Sequence, residues 1–167
     1  MEKKLNYKNL RNKYKPKNLR VVFILESPPA SGKFFFSESG STSEPLFAAM
    51  MKFLGVQPKT KKEGLLAFKN KGYFLIDSTY VPVNKDDTKV KNRKIVFDIP
   101  NLVRDLDQSV SDSKTKIVLV KKNIYGILYG PLMAIGYKVV NKTFIPFPVR
   151  SQKNINSFLT KLRKLKI

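Results

Sequence analysis

The stretch RVVFIL, residues 20–25, is a short continuous apolar run that ends directly at the acidic residue Glu26. Runs of this length without polar alternation are typical of strands that are buried on both faces of a parallel sheet. Three later runs have the same character, namely YFLI at residues 73–76, KIVLV at 116–120 and YKVV at 137–140. The sequence therefore predicts four short, buried strands.

Segments with helical patterning lie between these strands. We predict helices over residues 45–54, 61–70, about 96–106 (with Pro100 as a candidate break), 124–135 and 154–165, and a charged loop over 84–94. Strands that alternate with helices favour an α/β fold, specifically three α/β/α layers around a central four-stranded, mainly parallel sheet. The length fits a single domain over residues 1–167, with a basic N-terminal arm over about residues 1–18.

The charge of the chain is strongly unbalanced. Lys and Arg number 33 against 12 Asp and Glu, which gives a formal net charge of +21, and no acidic residue follows Asp112. A polyanionic partner relieves the self-repulsion of such a chain, so we predict that it binds nucleic acid, with DNA as the expected partner. A merely solvated Lys-rich surface is the main alternative, and a membrane surface is a weaker one.

Composition also excludes several classes of protein. The chain has neither Cys nor His, which excludes disulfides and thiolate metal sites and removes the commonest general base and zinc ligand. No apolar run approaches the roughly 18 residues of a membrane span, and no apolar region of a signal peptide follows the Lys-rich start. We therefore expect a soluble, cytoplasmic monomer, prokaryotic or viral, without a cofactor or metal.

Two acidic residues stand directly after predicted strands. Glu26 follows the first strand and Asp77 follows the second. Functional crevices in parallel sheets lie at the carboxyl ends of the strands, and a carboxylate there is costly to desolvate unless it has a partner or a function. We interpret both residues as candidate site residues. The alternative is that each accepts backbone hydrogen bonds from a turn or a helix start.

The loop after the first strand also invites comparison with a phosphate-binding loop. It reads SPPASGKF over residues 27–34, but Ser27 stands at the opening Gly position and Phe34 at the metal-binding Ser/Thr position. Two prolines remove backbone N–H groups that would hold phosphate. A nucleoside triphosphatase is therefore disfavoured.

Three motifs at the strand ends occur in a familiar order. They are LESPP at residues 25–29, LIDSTYVP at 75–82 and IPFP at 145–148. With them the chain resembles the uracil-DNA glycosylase superfamily over roughly residues 20–165. The resemblance implies a four-stranded parallel sheet flanked by helices, and hydrolysis of the N-glycosidic bond of a deaminated or damaged base flipped out of DNA. The sequence departs from the family at Ile145, where the family has His, and at Asp77, where it has a base-reading Asn.

The resemblance and the chemistry of glycosidic cleavage assign candidate roles. Glu26 would stabilise the cationic sugar and orient a water, because carboxylates act in this way in glycoside hydrolysis. The substrate-binding candidates are Phe35 or Phe36 as the aromatic that stacks on the base, Asp77 as its reader, and Ser78 and Asn84. Ser27 is a second catalytic candidate. Together with Ser78 and Asn84, it would replace in part the hydrogen-bond donor that the family's His supplies to the leaving base. The DNA-binding candidates, around a wedge that enters the duplex, are Pro148, Val149, Arg150, Ser151 and Lys153.

Asp77 leaves the target base open. An ionised Asp only accepts hydrogen bonds, so either Asp77 is protonated, or the preferred base is not uracil, or the pocket no longer reads uracil. Two other functions are alternatives to the glycosylase. One is a catalytically inactive glycosylase-like protein that binds nucleic acid, and the other is a nuclease that uses Glu26 and Asp77 as Mg²⁺ ligands.

Overall fold

The computed structural model describes residues 6–149 and 151–167, and Arg150 of the predicted wedge lies outside them. The elements, in chain order, are α1 (Tyr7–Asn12), β1 (Val21–Leu25), α2 (Pro45–Leu54), α3 (Lys61–Asn70), β2 (Tyr73–Asp77), α4 (Thr88–Ser109), β3 (Lys116–Leu119), α5 (Lys122–Ile135), β4 (Lys138–Val139) and α6 (Gln152–Lys164). Within the described residues, none of the helices is long and apolar enough to cross a membrane.

The four strands form one parallel sheet in the order β2-β1-β3-β4. Every residue of β1 and β2 is buried, as the apolar runs predict, and β2 also includes the acidic Asp77, which the sequence places just after the strand. On the helical layers, α2 packs against α3 and α6, whereas α4 packs against α5. The predicted α/β fold, with three layers around a four-stranded parallel sheet, is confirmed.

Helix α4 is longer than the sequence predicts. It begins at Thr88, inside the predicted loop, because the side chain of Asp87 accepts hydrogen bonds from the backbone N–H groups of Lys89 and Val90 and so caps the helix. Pro100 does not divide it. Because Ile95, Leu102 and Leu106 anchor one face in the core on both sides of the proline, the helix continues despite the lost backbone hydrogen bond.

The described part of the predicted N-terminal arm is packed into the fold. Arg11, only 2% exposed, donates two hydrogen bonds to Asp105 of α4, at 2.7 and 2.9 Å, and one to the hydroxyl of Tyr80 at 2.6 Å. Tyr14 is buried in the hydrophobic core. These contacts join α1 to α4 and to the loop that follows β2.

The fourth strand is shorter than predicted because a side chain replaces its continuation. Beyond Val139, the Asn141 side chain accepts from the Leu119 backbone N–H and donates to the Leu119 carbonyl, both at 2.9 Å. Ile145 then pairs with Val120 in a parallel bridge, and its carbonyl accepts a hydrogen bond from the Lys121 N–H at 2.7 Å. Residues 145–149 are thereby brought to the carboxyl edge of the sheet.

Candidate active site

The carboxyl ends of β1, β2 and β3 meet at one edge of the sheet. In the strand register Leu25 lies opposite Asp77, and Ile24 lies opposite Leu119. The residues that follow are therefore neighbours: Glu26 after β1, Ser78 after β2 and Lys121 shortly after β3. This edge is where the sequence predicts the functional crevice.

Glu26 has more ion-pair and hydrogen-bond partners than Asp77, the other acid at this edge of the sheet. It is 8% exposed, and its Oε1 lies 2.7 Å from Lys121 Nζ and 3.3 Å from Lys91 Nζ. Its Oε2 accepts a hydrogen bond from Asn123 Nδ2 at 2.8 Å. Three elements position this carboxylate, because Lys91 belongs to α4 and Asn123 to α5, while Glu26 itself follows β1.

These contacts hold Glu26 in its ionised form. Burial by itself would raise the pKa of the carboxyl group, but the hydrogen bonds from Lys121 and Asn123, and the charges of Lys121 and Lys91, outweigh that effect. The pKa therefore lies below its ordinary value. A stable carboxylate can stabilise positive charge in a substrate without first losing a proton.

Asp77 has the opposite environment. It is 5% exposed, and among the described residues no group forms a hydrogen bond with its Oδ2. Burial raises the pKa of Asp77 to about 7, against the opposing charge of Arg11, whose own hydrogen bonds go to Asp105 and Tyr80. Near neutral pH this buried side chain is divided between an acid and a carboxylate.

Both acids line one cavity of about 300 Å³, at the lower end of the range for small-molecule sites. Its wall is mainly apolar and includes the side chains of Leu25, Leu75, Phe34, Phe35, Phe47 and Phe147. Lys121 also reaches it. An apolar cavity with a few polar groups is typical of a small-molecule site.

The predicted stacking aromatics have different positions. Phe35 lines the cavity, as a stacking residue must, although its ring is also packed between Phe47 and Phe68. Phe36 is 1% exposed, and its ring stacks on Tyr14 and packs against Phe74 in the core. Phe36 therefore belongs to the core and is not among the residues that line the cavity, so of the two predicted stacking aromatics Phe35 is the one next to it.

The polar candidates of the loops largely organise the backbone. Ser27 lines the cavity, and its hydroxyl accepts a hydrogen bond from the Val83 N–H at 3.2 Å. Ser78 is buried and donates to the Glu26 carbonyl at 2.6 Å, so its hydroxyl does not face a ligand. Asn84 borders the cavity and accepts from the Ala30 N–H at 3.0 Å, which joins the loops after β1 and β2.

The predicted wedge lies partly at the cavity. Val149 lines it and Pro148 is buried beside it. Ser151 caps α6 by accepting a hydrogen bond from the Asn154 N–H, so its hydroxyl has a structural role, while Lys153 is exposed on the first turn of α6. These positions bring Val149 to the cavity but leave Lys153 on the outer surface.

The sequence did not indicate the groups that surround Glu26. Lys91 and Asn123 come from helices, and neither position follows a strand, so no local pattern could have singled them out. Lys121 does follow the third apolar run directly and could have been found by the rule that identified Glu26. Phe147, inside the IPFP motif, lines the cavity and was likewise not assigned a role.

A second, more open cleft of about 1130 Å³ lies between α1, α4 and the loop after β2, and Asp77 borders it as well. Within residues 6–149 and 151–167, no group of three or more acidic side chains converges as a metal site would. This arrangement does not favour the nuclease alternative, since both oxygens of Glu26 are engaged by cationic and amide groups.

No family model matches the chain, and no curated protein sequence is significantly similar to it.

Proposed function

We propose that this protein is a DNA glycosylase that hydrolyses the N-glycosidic bond of a deaminated or damaged base. Glu26 carries this proposal, because its carboxylate is held ionised at the wall of an apolar cavity at the carboxyl edge of the sheet. The base would leave the DNA stack and enter the cavity between aromatic rings, with its sugar next to Glu26.

The chemistry requires a negative group near the sugar. As the bond between the base and C1′ lengthens, positive charge develops on the sugar and negative charge on the base. The Glu26 carboxylate stabilises the cationic sugar and orients the water that adds to C1′. Such preorganised electrostatic stabilisation is often the largest single contribution to an enzymatic rate.

Asp77 would read the edge of the base. A protonated carboxyl group presents one donor and one acceptor, as an Asn amide does, so it complements a base edge that presents a carbonyl next to a ring N–H. Uracil, hypoxanthine and xanthine carry such an edge. The ionised form only accepts and would repel the carbonyl oxygen, so recognition depends on the protonation state of Asp77.

DNA is the proposed partner because of the charge of the chain. The net charge of +21 favours a polyanion, and the region after Asp112, which contains no acid, includes Lys121 at the cavity and Lys153 on the outer surface. A monomeric state and a cytoplasmic location belong to the same proposal.

The test is incubation of the protein with duplex and single-stranded oligonucleotides that carry uracil, hypoxanthine, xanthine or an oxidised base. Hot alkali then reveals abasic sites. We expect release of at least one base by the wild-type protein and a loss of at least about 100-fold in Glu26→Gln. Glu63→Gln, at an exposed carboxylate of α3, is the matched control. Absence of any excision, or full activity of Glu26→Gln, would overturn the proposal.

One observation favours a second candidate, a binding protein without catalysis. Both oxygens of Glu26 are already engaged, as in an ion pair that serves structure only. In that case no base is released, and Glu26→Gln binds DNA as the wild-type protein does. DNA binding that weakens with salt is expected for both candidates and does not separate them.

A further inference from the structure

The side chain of Lys121 enters the cavity beside Glu26. It is 38% exposed, and its Nζ lies 2.7 Å from Glu26 Oε1. A primary amine is therefore located next to the carboxylate at which, in the proposed function, the sugar of the substrate would be held. Lys33 also lines the cavity, but Lys121 is the cavity-lining lysine whose amine contacts Glu26 in the part of the chain that the structure describes.

Glu26 does not depend on Lys121 alone. Lys91 Nζ contacts the same oxygen, Oε1, at 3.3 Å, and Asn123 donates to Oε2. Two ammonium groups thus share one carboxylate oxygen, and the site holds more positive charge than its carboxylate neutralises. If Lys121 reacts and leaves this contact, Glu26 keeps a cationic and an amide partner.

The backbone fixes the position of this lysine. Lys121 has a φ of +86° and a ψ of 143°, and a positive φ is uncommon for residues other than glycine. Its N–H donates to the Ile145 carbonyl and its carbonyl accepts from the Tyr125 N–H in the first turn of α5. The base of the side chain is therefore anchored between β3, α5 and the segment that carries Phe147.

We propose that Lys121 is the nucleophile of a second activity, cleavage of the DNA strand at abasic sites through an imine. Hydrolysis of a glycosidic bond leaves a sugar whose ring-opened form has an aldehyde at C1′. Lysine amines react with such carbonyls to form Schiff bases. The activity rests on the proposed function for its substrate, because the aldehyde is the product that a glycosylase would leave at this cavity.

The reaction needs no reagent besides water. Lys121 gives its ammonium proton to solvent, and its lone pair forms a bond to C1′ while the carbonyl oxygen takes up a proton. A proton then moves from the nitrogen to that oxygen, which leaves as water and gives a protonated imine. Glu26 removes a proton from C2′, the bond from C3′ to its oxygen breaks, and the electron pair leaves with the 3′ phosphate. Water finally hydrolyses the imine, which releases an unsaturated aldehyde and restores the amine.

The test uses a duplex oligonucleotide with a preformed abasic site, so that base excision is not needed. With sodium cyanoborohydride we expect a covalent protein–DNA adduct that peptide mass spectrometry maps to Lys121. Without the reductant, we expect a nicked strand that ends in the unsaturated aldehyde. Lys121→Arg and Lys121→Met should each lose the adduct at least tenfold, whereas Lys122→Arg, at the exposed next residue, should retain it.

Each outcome is decisive. An adduct that is absent, that maps to other lysines or that persists in both Lys121 variants overturns the proposal. Circular dichroism and the unfolding midpoint of each variant establish that it is folded before trapping. Failure of the glycosylase assay together with trapping at Lys121 would overturn the proposed base excision but not the lyase, and the reverse result would overturn the lyase alone.

Discussion

Replacing Asp77 with Asn removes a carboxyl group whose ionisation opposes folding. Its pKa rises from an ordinary value of 3.8 to about 7 in the folded protein, because the side chain is buried. The folded protein therefore binds the proton more tightly than the unfolded chain does. The free energy of unfolding must fall as the pH rises from about 3.8 to about 7, and above that range this contribution stays constant.

The size of this effect follows from the two pKa values. Their difference corresponds to about 4 kcal/mol in total, of which about 3 kcal/mol is lost between pH 5 and pH 8. Asn has nearly the same shape and does not titrate. The difference in stability between Asp77→Asn and the wild-type protein should therefore grow by about 3 kcal/mol in favour of the variant between pH 5 and pH 8.

Urea denaturation of both proteins at several pH values between 5 and 8 measures this difference. All other titrating groups are common to the two proteins, so their contributions cancel. Asp112→Asn, at an exposed aspartate, reports the effect of removing one surface charge. If Asn fits the site poorly, the variant loses stability equally at every pH, and the slope is unaffected. A stability difference that stays constant with pH would refute this account of Asp77.

The remaining predictions concern the cavity and the core. The wild-type protein should excise a base that presents a carbonyl next to a ring N–H more slowly as the pH rises above about 7, because Asp77 then loses the proton that it donates to the carbonyl. Initial rates measure this decline, which should disappear in Asp77→Asn. Phe147→Ala should weaken binding of an oligonucleotide that carries the target base by about 1–3 kcal/mol, measured by titration, because the cavity loses an aromatic face. Phe36→Ala should lower the free energy of unfolding by about 3–5 kcal/mol, because it opens a void in the core. Arg11→Met should cost about 3–5 kcal/mol in the same measurement, because the buried Asp105 loses both hydrogen bonds from Arg11 and keeps only the 3.9 Å contact with Lys8.

Each of these predictions would be contradicted by a specific outcome of the same measurement. A decline with pH that persists in Asp77→Asn would assign the titration to another group. Unchanged binding by Phe147→Ala would remove this ring from the base site. Loss of less than about 1 kcal/mol in Phe36→Ala or Arg11→Met would contradict the packing and the buried ion pair described for them.

The edge of the sheet could be predicted because it follows from local patterns. Four apolar runs separated by helical segments specify a parallel sheet, and the sheet in turn brings Glu26 and Asp77 to one edge. The partners of these acids could not be predicted in the same way. Lys91 and Asn123 reach Glu26 from two helices, and such contacts depend on tertiary packing that no short window of sequence contains.

The aromatic run FFF at residues 34–36 illustrates the same limit. Its composition indicates aromatic side chains near the first strand, but their roles depend on the direction in which each ring points. Phe35 reaches the cavity, whereas Phe36 is enclosed by rings from distant parts of the chain. In α4, the cap at Asp87 starts the helix and Pro100 removes one of its backbone hydrogen bonds. The helix continues past the proline because residues on both sides of it pack in the core.

The contact between Arg11 and Asp105 has a consequence for how the protein is made. The two residues are separated by 94 positions in the chain. At a synthesis rate of about 5–20 residues per second, Arg11 emerges from the ribosome roughly 5–20 s before Asp105 emerges. During that interval β1 and β2 can already pair, but α1 has no ionic partner on α4. The wall of the open cleft next to Asp77 therefore forms only after α4 has emerged, later than the first strand pair of the sheet.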